Sequence, residues 1–243
     1  LRFYGRVDEN WIRSLREKRQ MSHVNNIVKK PWGYEYLAYK NKQVALWFLY
    51  INHDHKTSMH CHPNKTTGLT LLDGEAEVSF LNDKNPLRCH DKIMIRKGLF
   101  HSTQATDTRG AWVFEIETPV NKNDLVRLRD SYGREGKPYE NSTFEYPKQN
   151  DCLWIENPVS EEPNIYTFAN SILTVSKVEN TDYFKSIEDH KNIMFLLGGI
   201  ITEYNINVAG AGDIVSAKVV KELVEVFTSI SNDTIIMIME KNV

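Results

Sequence analysis

Three histidines form the strongest chemical pattern in the sequence. His60 and His62 lie in the segment Met-His-Cys-His, and His101 follows later in Lys-Gly-Leu-Phe-His. Because alternate residues of a β-strand face the same side of a sheet, the first two imidazoles can point into one cavity. A third imidazole from another strand would complete a site for a divalent ion such as zinc, iron, manganese or nickel. We therefore predict a metal centre held by His60, His62 and His101.

Charged residues near these histidines are candidates for substrate binding and catalysis. Lys65, Arg96 and Lys97 occur in loops beside the predicted mouth of the cavity, where cations can hold a phosphate or carboxylate group. An ordinary solvated basic rim is the alternative. Glu115 and Glu117 alternate with apolar residues on one predicted strand. If that face of the strand lines the cavity, Glu115 can serve as a general base, and if it faces outward both carboxylates are solvated.

The elements that must position these residues are short strands. Between residues 31 and 118, runs of β-branched and aromatic residues are separated by turn signals such as Asp-Gly and Asn-Asp. Many short strands at this spacing predict a sandwich or barrel. Residues 10–20 combine strong helix formers with apolar residues at helical spacing and predict a short amphipathic helix. A second helical stretch is expected at residues 124–129.

An internal repeat relates the two halves of the chain. Residues 90–118 and 212–240 align without a gap, and upstream segments match in the same order. The simplest interpretation is two similar β-domains in tandem. In the second copy Leu223 takes the place of His101, while Lys185 and Ile187 lie at about the positions of the other two histidines. The second copy has therefore lost every imidazole, and we expect it to pack against the first or contribute to a dimer.

The histidine pattern resembles the motifs of the cupin superfamily. His60, His62 and Gly74 match the first cupin motif, and Gly98 and His101 match the second. The resemblance implies a double-stranded β-helix, or jelly roll, with a metal held inside one end. The fold expected is thus all-β, with two tandem cupin-type jelly-roll domains and a short N-terminal helix.

Two positions depart from the cupin pattern. Thr67 stands where the motif has its metal-binding glutamate, and Arg96 stands where it has a proline. Because a hydroxyl replaces a carboxylate, the site has one negative charge fewer than usual. Three imidazoles with water or substrate, or no metal at all, are the alternatives left open by the sequence.

The first half is similar to the C-terminal cupin domain of type II mannose-6-phosphate isomerases. Residues 30–35 read Lys-Pro-Trp-Gly-Tyr-Glu, and residues 124–134 read Asp-Leu-Val-Arg-Leu-Arg-Asp-Ser-Tyr-Gly-Arg, which match the opening and closing motifs of that group. The resemblance implies that Glu115, with Arg127 or Arg134, belongs to the active site. Pairing of these arginines with Asp124 or Asp130 is the alternative.

Composition limits the remaining classes of function. The chain has 243 residues, 41% of them hydrophobic, and 30 basic side chains balance 32 acidic ones. This balance disfavours nucleic acid as a partner, and no apolar run is long enough for a membrane span. An odd set of three cysteines suits reduced thiols, so a cytoplasmic location is expected. Exposed sheet edges can pair with a second copy of the chain, so the sequence is compatible with a homodimer.

The organisation predicted from these patterns has four parts. They are an N-terminal helical extension (1–29), a metal-binding cupin domain (30–137), a linker (138–163) and a degenerate second cupin domain (164–243). The leading function is a metal-dependent isomerase or epimerase that acts on a phosphorylated or nucleotide-linked sugar in the synthesis of surface carbohydrate. Two alternatives are an Fe(II)-dependent three-histidine dioxygenase and a non-catalytic module that binds a sugar or organic acid.

Overall fold

The computed structural model describes residues 27–137, 139, 152–159 and 161–242. Almost every element in these ranges is an antiparallel strand, and the part of the chain described contains two short helices. The prediction of an all-β fold is confirmed. The helix predicted at residues 10–20 lies outside the described residues. None of the helices in the described ranges is long and apolar enough to cross a membrane.

The first half contains eleven strands in two layers. The inner layer is a six-stranded sheet in the order β1-β2-β3-β10-β5-β8, and the outer layer combines the sheets β7-β6-β9 and β11-β4. The strands are β1 (Ile27–Lys30), β2 (Gly33–Lys40), β3 (Ala45–Ile51), β4 (Met59–Cys61), β5 (Thr66–Asp73), β6 (Ala76–Ser79), β7 (Lys84–Leu87), β8 (Lys92–Ile95), β9 (Ser102–Ala105), β10 (Ala111–Thr118) and β11 (Val126–Arg129).

The second half repeats this arrangement with fewer strands. Its five-stranded sheet has the order β12-β13-β19-β14-β17, which corresponds to β2-β3-β10-β5-β8 in the first half. Its three-stranded sheet β16-β15-β18 corresponds to β7-β6-β9. The elements are β12 (Asn164–Phe168), β13 (Ser171–Val178), α1 (Asp182–Lys185), β14 (Asn192–Leu197), β15 (Gly199–Ile201), β16 (Asn207–Gly210), β17 (Ile214–Ser216), α2 (Ala217–Val226), β18 (Ser229–Ile230) and β19 (Thr234–Lys241).

The larger sheets of the two halves pack against each other and bury a common apolar layer, which we term the shared core. It includes Phe48 and Phe114 from the first half and Leu173, Met194 and Met237 from the second. Each half also encloses a core of its own between its two layers. The six-stranded sheet is therefore buried on both faces.

The sequence of β3 explains this double burial. Leu46 and Phe48 face the shared core, while Trp47 and Leu49 face the interior of the first barrel. Because successive side chains alternate between faces, a strand covered on both sides needs an almost continuous apolar run. β3 has such a run, Ala-Leu-Trp-Phe-Leu-Tyr-Ile.

One expectation from the sequence differs from the structure. The helical stretch expected at residues 124–129 was a wrong prediction, since Val126–Arg129 is strand β11 and pairs with β4. Backbone pairing with a neighbouring strand overrides the helix propensity of this short segment.

The predicted linker contributes to the shared core. Of its described residues, Cys152 and Ile155 are buried in the shared core, and the Ile155 amide donates to the Ala38 carbonyl.

Candidate functional site

Backbone pairing brings the three predicted histidines together. The amide of His60 donates to the carbonyl of His101 at 3.0 Å, and the amide of His101 donates back at 2.8 Å. The carbonyl of His62 accepts from Gly98, whose positive φ of 73° forms the turn that leads to His101. The ring of His60 lies 5.0 Å from that of His62 and 4.4 Å from that of His101. The structure thus brings together the three histidines that the sequence pattern singled out.

Each imidazole is oriented by a main-chain oxygen. Nδ1 of His60 donates to the Ser58 carbonyl at 2.7 Å, Nδ1 of His62 to the Asp124 carbonyl at 2.6 Å, and Nδ1 of His101 to the Leu99 carbonyl at 3.0 Å. A carbonyl can only accept, so in each ring Nδ1 carries the proton and Nε2 carries a lone pair. All three rings are therefore in the tautomer that offers Nε2 to a metal.

The protonation state of the rings also suits metal binding. Burial lowers the pKa of all three imidazoles, that of His101 to about 4, and the neighbouring imidazoles add to the effect at His60. The rings are consequently neutral at pH 7, which is the form that ligates metals. Their ligand atoms lie within 4.8 Å of one another.

Two of these lone pairs lack any other function in the structure. Nε2 of His62 and Nε2 of His101 are buried, and among the described residues nothing hydrogen-bonds to either atom. A buried polar atom without a partner is costly unless a ligand satisfies it. The donor set fits a divalent zinc, iron, manganese or nickel ion.

A small polar cavity adjoins the histidines. The volume that water can enter in this cavity is about 50 Å³. A single water needs about 10–15 Å³ on this measure, so the cavity has room for about four waters or for an ion with a small ligand group. The larger part of a sugar phosphate would therefore have to lie at its mouth or widen it.

Two glutamates project into this cavity from the central strand β10. Glu115 and Glu117 are both buried, which decides between the two faces left open by the sequence. Burial, with the charge of Glu117, raises the pKa of Glu115 to about 8. Burial opposes ionisation of Glu117 as well, but the charges of Lys122 and Lys65 lower its pKa. Glu117 is thus the anion of the pair and Glu115 carries the proton at neutral pH.

The cavity residues that the analysis of the sequence missed include a cluster around Glu35. Glu35 forms ion pairs with Lys122 at 3.1 Å and Lys30 at 3.8 Å, and it accepts a hydrogen bond from Tyr139. Although burial alone would raise it, these partners lower the pKa of Glu35 to about 2. Nζ of Lys122 also lies 3.5 Å from the centre of the Trp47 ring. The sequence around Glu35 gave no signal, because alternation with its two neighbouring tyrosines does not say which face of β2 lines the cavity.

The predicted basic residues divide into two groups. Lys65, Arg127 and Arg134 line the cavity, although the Arg134 guanidinium is held by the Asp130 carboxylate at 2.7 and 3.0 Å.

Arg96 and Lys97 do not reach the cavity. They are exposed on the turn between β8 and β9, which the cavity lining does not include. The structure therefore does not bring these two predicted substrate-binding residues to the site.

The second half has no comparable cluster among its described residues. The segments that align with the histidines include Lys185, Ile187 and Leu223, and they belong to α1, the turn after it and α2. Phe184 of α1 and Val220 of α2 fill the core of the second barrel. In the second half, short helices thus align with the segments that bear the three histidines in the first half.

Comparisons with known proteins find similarity to solved structures at low sequence identity. No model of a protein family and no curated protein sequence matches the chain. A conserved Klebsiella pneumoniae protein with a double-stranded β-helix domain is 15% identical over 44% of this chain and 89% of its own, with a TM-score of 0.38.

Two further structures match over smaller shares of their own length. A cupin-superfamily sugar phosphate isomerase from Silicibacter pomeroyi is 11% identical over 39% of this chain and 64% of its own, with a TM-score of 0.36. A capsular polysaccharide assembling protein from Staphylococcus aureus is 13% identical over 43% of this chain and 34% of its own, with a TM-score of 0.39. Each match spans less than two thirds of those proteins. Cupin-superfamily proteins are thus among the solved structures similar to this chain.

Proposed function

We propose that the chain is a metal-dependent enzyme that isomerises or epimerises a phosphorylated or nucleotide-linked sugar. The observation that carries the proposal is the cluster of three imidazoles in which His62 also lies next to Glu115, a buried carboxyl group whose pKa is raised to about 8. Metal ligands and a proton carrier at one cavity are what such a reaction needs. The resemblance of residues 30–134 to mannose-6-phosphate isomerases supports a sugar phosphate as the substrate class.

The charge of the cavity favours an anionic substrate. Its lining contains more cationic side chains than carboxyl groups: Lys30, Lys65, Lys122, Arg127 and Arg134 against Glu35, Glu115 and Glu117. Asp130 neutralises Arg134, and Glu115 is protonated, so an excess of positive charge remains. A divalent ion would increase this excess. A phosphate or carboxylate group on the substrate would balance it.

The chain's own residues account for the proton transfer. A divalent ion bound by the imidazoles would polarise a carbonyl and hydroxyl pair and so acidify the adjacent carbon. Glu115, as carboxylate, takes the proton from that carbon and returns it to the neighbouring carbon or to the opposite face. Its pKa near 8 leaves both protonation states populated around neutral pH. Arg127, which pairs with His60 across β11 and β4, can bind the anionic group.

Deuterium exchange at carbon tests this proposal. The protein, loaded with zinc, iron, manganese or nickel in separate samples, is incubated with aldose and ketose phosphates in D₂O and followed by NMR. We expect deuterium to enter the carbon next to the carbonyl. Glu115→Gln should abolish exchange and retain the metal, because only the proton carrier is removed. His101→Ala should lose both, with its circular dichroism unchanged.

Other results would point to other functions. Oxygen consumption with the iron-loaded protein would replace the proposal by a dioxygenase. Binding of a sugar or organic acid without turnover, unchanged by chelation, would indicate a binding module. Full exchange by Glu115→Gln would remove that residue from the mechanism.

A further inference from the structure

Position 67 carries a hydroxyl that the structure leaves unused. Thr67 lies on β5 and is 1% exposed, and its Oγ1 has no hydrogen-bond partner among the described residues. A buried hydroxyl without a partner destabilises the folded chain. In the cupin pattern this position supplies the carboxylate of the metal centre. We therefore looked for another carboxylate close to position 67 in the sheet.

The residue directly across the sheet from Thr67 is a glutamate. Glu117 on β10 is the register partner of Thr67 on β5. Side chains of such partners leave the sheet on the same face with their Cβ atoms about 5 Å apart. A carboxylate that starts at position 117 can therefore reach the space that one starting at position 67 would reach. Carboxylate oxygens of Glu117 and Glu115 and a ring nitrogen of His62 lie within 4.8 Å of one another, and His62 is the member that this group shares with the three-histidine cluster. To ligate the same ion as His60 and His101, the Glu117 side chain would turn toward His62.

A neighbouring lysine holds the Glu117 carboxylate in place. Nζ of Lys65 donates to Oε1 of Glu117 at 2.6 Å, and both side chains are almost completely buried. A carboxylate has two oxygens, so it can accept from an ammonium group on one and ligate a cation with the other. Glu115 has no such partner in the described structure, which distinguishes the two acids by geometry.

We propose that Glu117 is the carboxylate ligand of the metal centre, displaced by one strand from position 67, and that Lys65 is its positioning residue. The inference rests on the proposed metal centre of His60, His62 and His101. With Glu117 the centre has three imidazoles and one carboxylate, and it regains the negative charge that Thr67 lacks. The ion class is a divalent first-row metal.

Metal affinity measured without substrate tests this proposal. Apo protein is titrated with Co²⁺, and its visible absorption reports both the dissociation constant and the ligand set. We expect Glu117→Gln to weaken Co²⁺ binding at least about tenfold and to change the spectrum. Glu115→Gln is the matched control and should bind Co²⁺ within about threefold of the unaltered chain. Circular dichroism and thermal unfolding check that each variant folds.

Two double variants separate ligation from the ion pair. Glu117→Gln leaves Lys65 as a buried unpaired cation, which would itself repel a metal. Lys65→Met with Glu117→Gln removes that cation, so weak Co²⁺ binding by this pair supports ligation and restored binding overturns it. Thr67→Glu with Glu117→Gln moves the carboxylate back across the sheet and should restore Co²⁺ binding. If this variant folds but does not bind Co²⁺, carboxylates at positions 67 and 117 do not reach the same place in the centre.

The outcomes also distinguish this inference from the proposed function. If Glu117→Gln binds Co²⁺ as tightly as the unaltered chain while His101→Ala does not, the metal centre stands and the assignment of Glu117 is wrong. If the unaltered chain binds no Co²⁺, zinc or manganese, both the metal centre and its carboxylate are refuted.

Discussion

Glu115 is a residue whose charge differs between the folded and unfolded chain at neutral pH. Burial and the charge of Glu117 raise its pKa from an ordinary value of 4.5 to about 8. Between these two pH values the folded chain binds a proton that the unfolded chain has lost. The free energy of unfolding must therefore fall as pH rises through this window, by about 1.4 kcal/mol per pH unit at most.

Replacing Glu115 by glutamine should remove this pH dependence. Glutamine resembles the protonated acid in shape and cannot ionise. The variant should become more stable relative to the unaltered chain by about 1 kcal/mol for each unit between pH 5 and pH 7.5, and the difference should level off above pH 8. Urea unfolding in the presence of a chelator measures it.

The comparison has an internal control. The three buried imidazoles also titrate below pH 6.5, but they are present in both proteins and cancel in the difference. A stability difference that stays constant from pH 5 to pH 8 would show that Glu115 has an ordinary pKa.

For single residues, the sequence predicted the members of the site whose positions follow from strand spacing. His60 and His62 are two residues apart on a strand, and Glu115 and Glu117 repeat the same spacing. Lys122 could not be found in this way. It follows β10 in a loop, and its contact with Glu35 depends on how that loop folds back over the barrel.

Among the elements, the loop that precedes β11 has the clearest structural role at the site. The Asp124 carboxylate accepts hydrogen bonds from the Asn64 amide, the Asn64 side chain and the Lys65 amide at 2.8–3.0 Å. The Asp124 carbonyl accepts from Nδ1 of His62 at the same time. One residue thus joins the loop before β11 to the loop after β4.

Asp124→Ala should loosen this connection. Loss of three hydrogen bonds to a buried carboxylate is expected to lower the free energy of unfolding by about 2 kcal/mol. Because the carbonyl beside His62 is then less firmly placed, Co²⁺ binding should weaken up to about tenfold. Urea unfolding and Co²⁺ titration measure the two effects.

An exposed aspartate provides the comparison for this variant. Asp83 lies in the turn after β6, and its replacement by alanine should change stability by no more than about 0.5 kcal/mol. Equal effects of the two substitutions would contradict the role assigned to the Asp124 side chain.

The strand β11 also shows where local propensity fails. Leu125, Arg127 and Leu128 are good helix formers, and a run of such residues predicts a helix. The unsatisfied backbone of β4 is a stronger determinant, because pairing with it satisfies main-chain groups of both segments. This partner is distant in sequence, so no local window contains the information.

Over the whole molecule, the shared core couples the two halves. Leu173 of the second half and Phe48 of the first are both fully buried in it. All five tryptophans lie at or before residue 154, so none belongs to β12 or to the elements that follow it. Two independent domains would unfold separately, whereas a common core predicts one cooperative transition.

Leu173→Ala tests this coupling across the molecule. Truncation of a buried leucine should lower stability by about 2–5 kcal/mol. The midpoint of urea unfolding should shift equally by tryptophan fluorescence and by circular dichroism, although the substitution lies in the half that has no tryptophan. Ile165→Ala, at a side chain that is 65% exposed on β12, is the control and should shift neither signal appreciably.

An unchanged fluorescence midpoint in Leu173→Ala would mean that the halves unfold independently.

The repeated order of strands could be inferred from the sequence alignment of the two halves. Their packing through the larger sheets could not, because an alignment of repeats contains no information on how the copies face each other.

The hydrogen bonds that orient the three imidazoles all end on peptide oxygens, those of residues 58, 99 and 124. Every residue type has a main-chain carbonyl, so this acceptor remains after any amino-acid replacement at its position as long as the loop keeps its backbone conformation. Mutational drift around the cavity can therefore exchange neighbouring side chains and leave the three lone pairs in place. In a lineage of such proteins, the geometry of ligation would be inherited through the course of the main chain, and the side chains beside it would be free to diversify with the substrate.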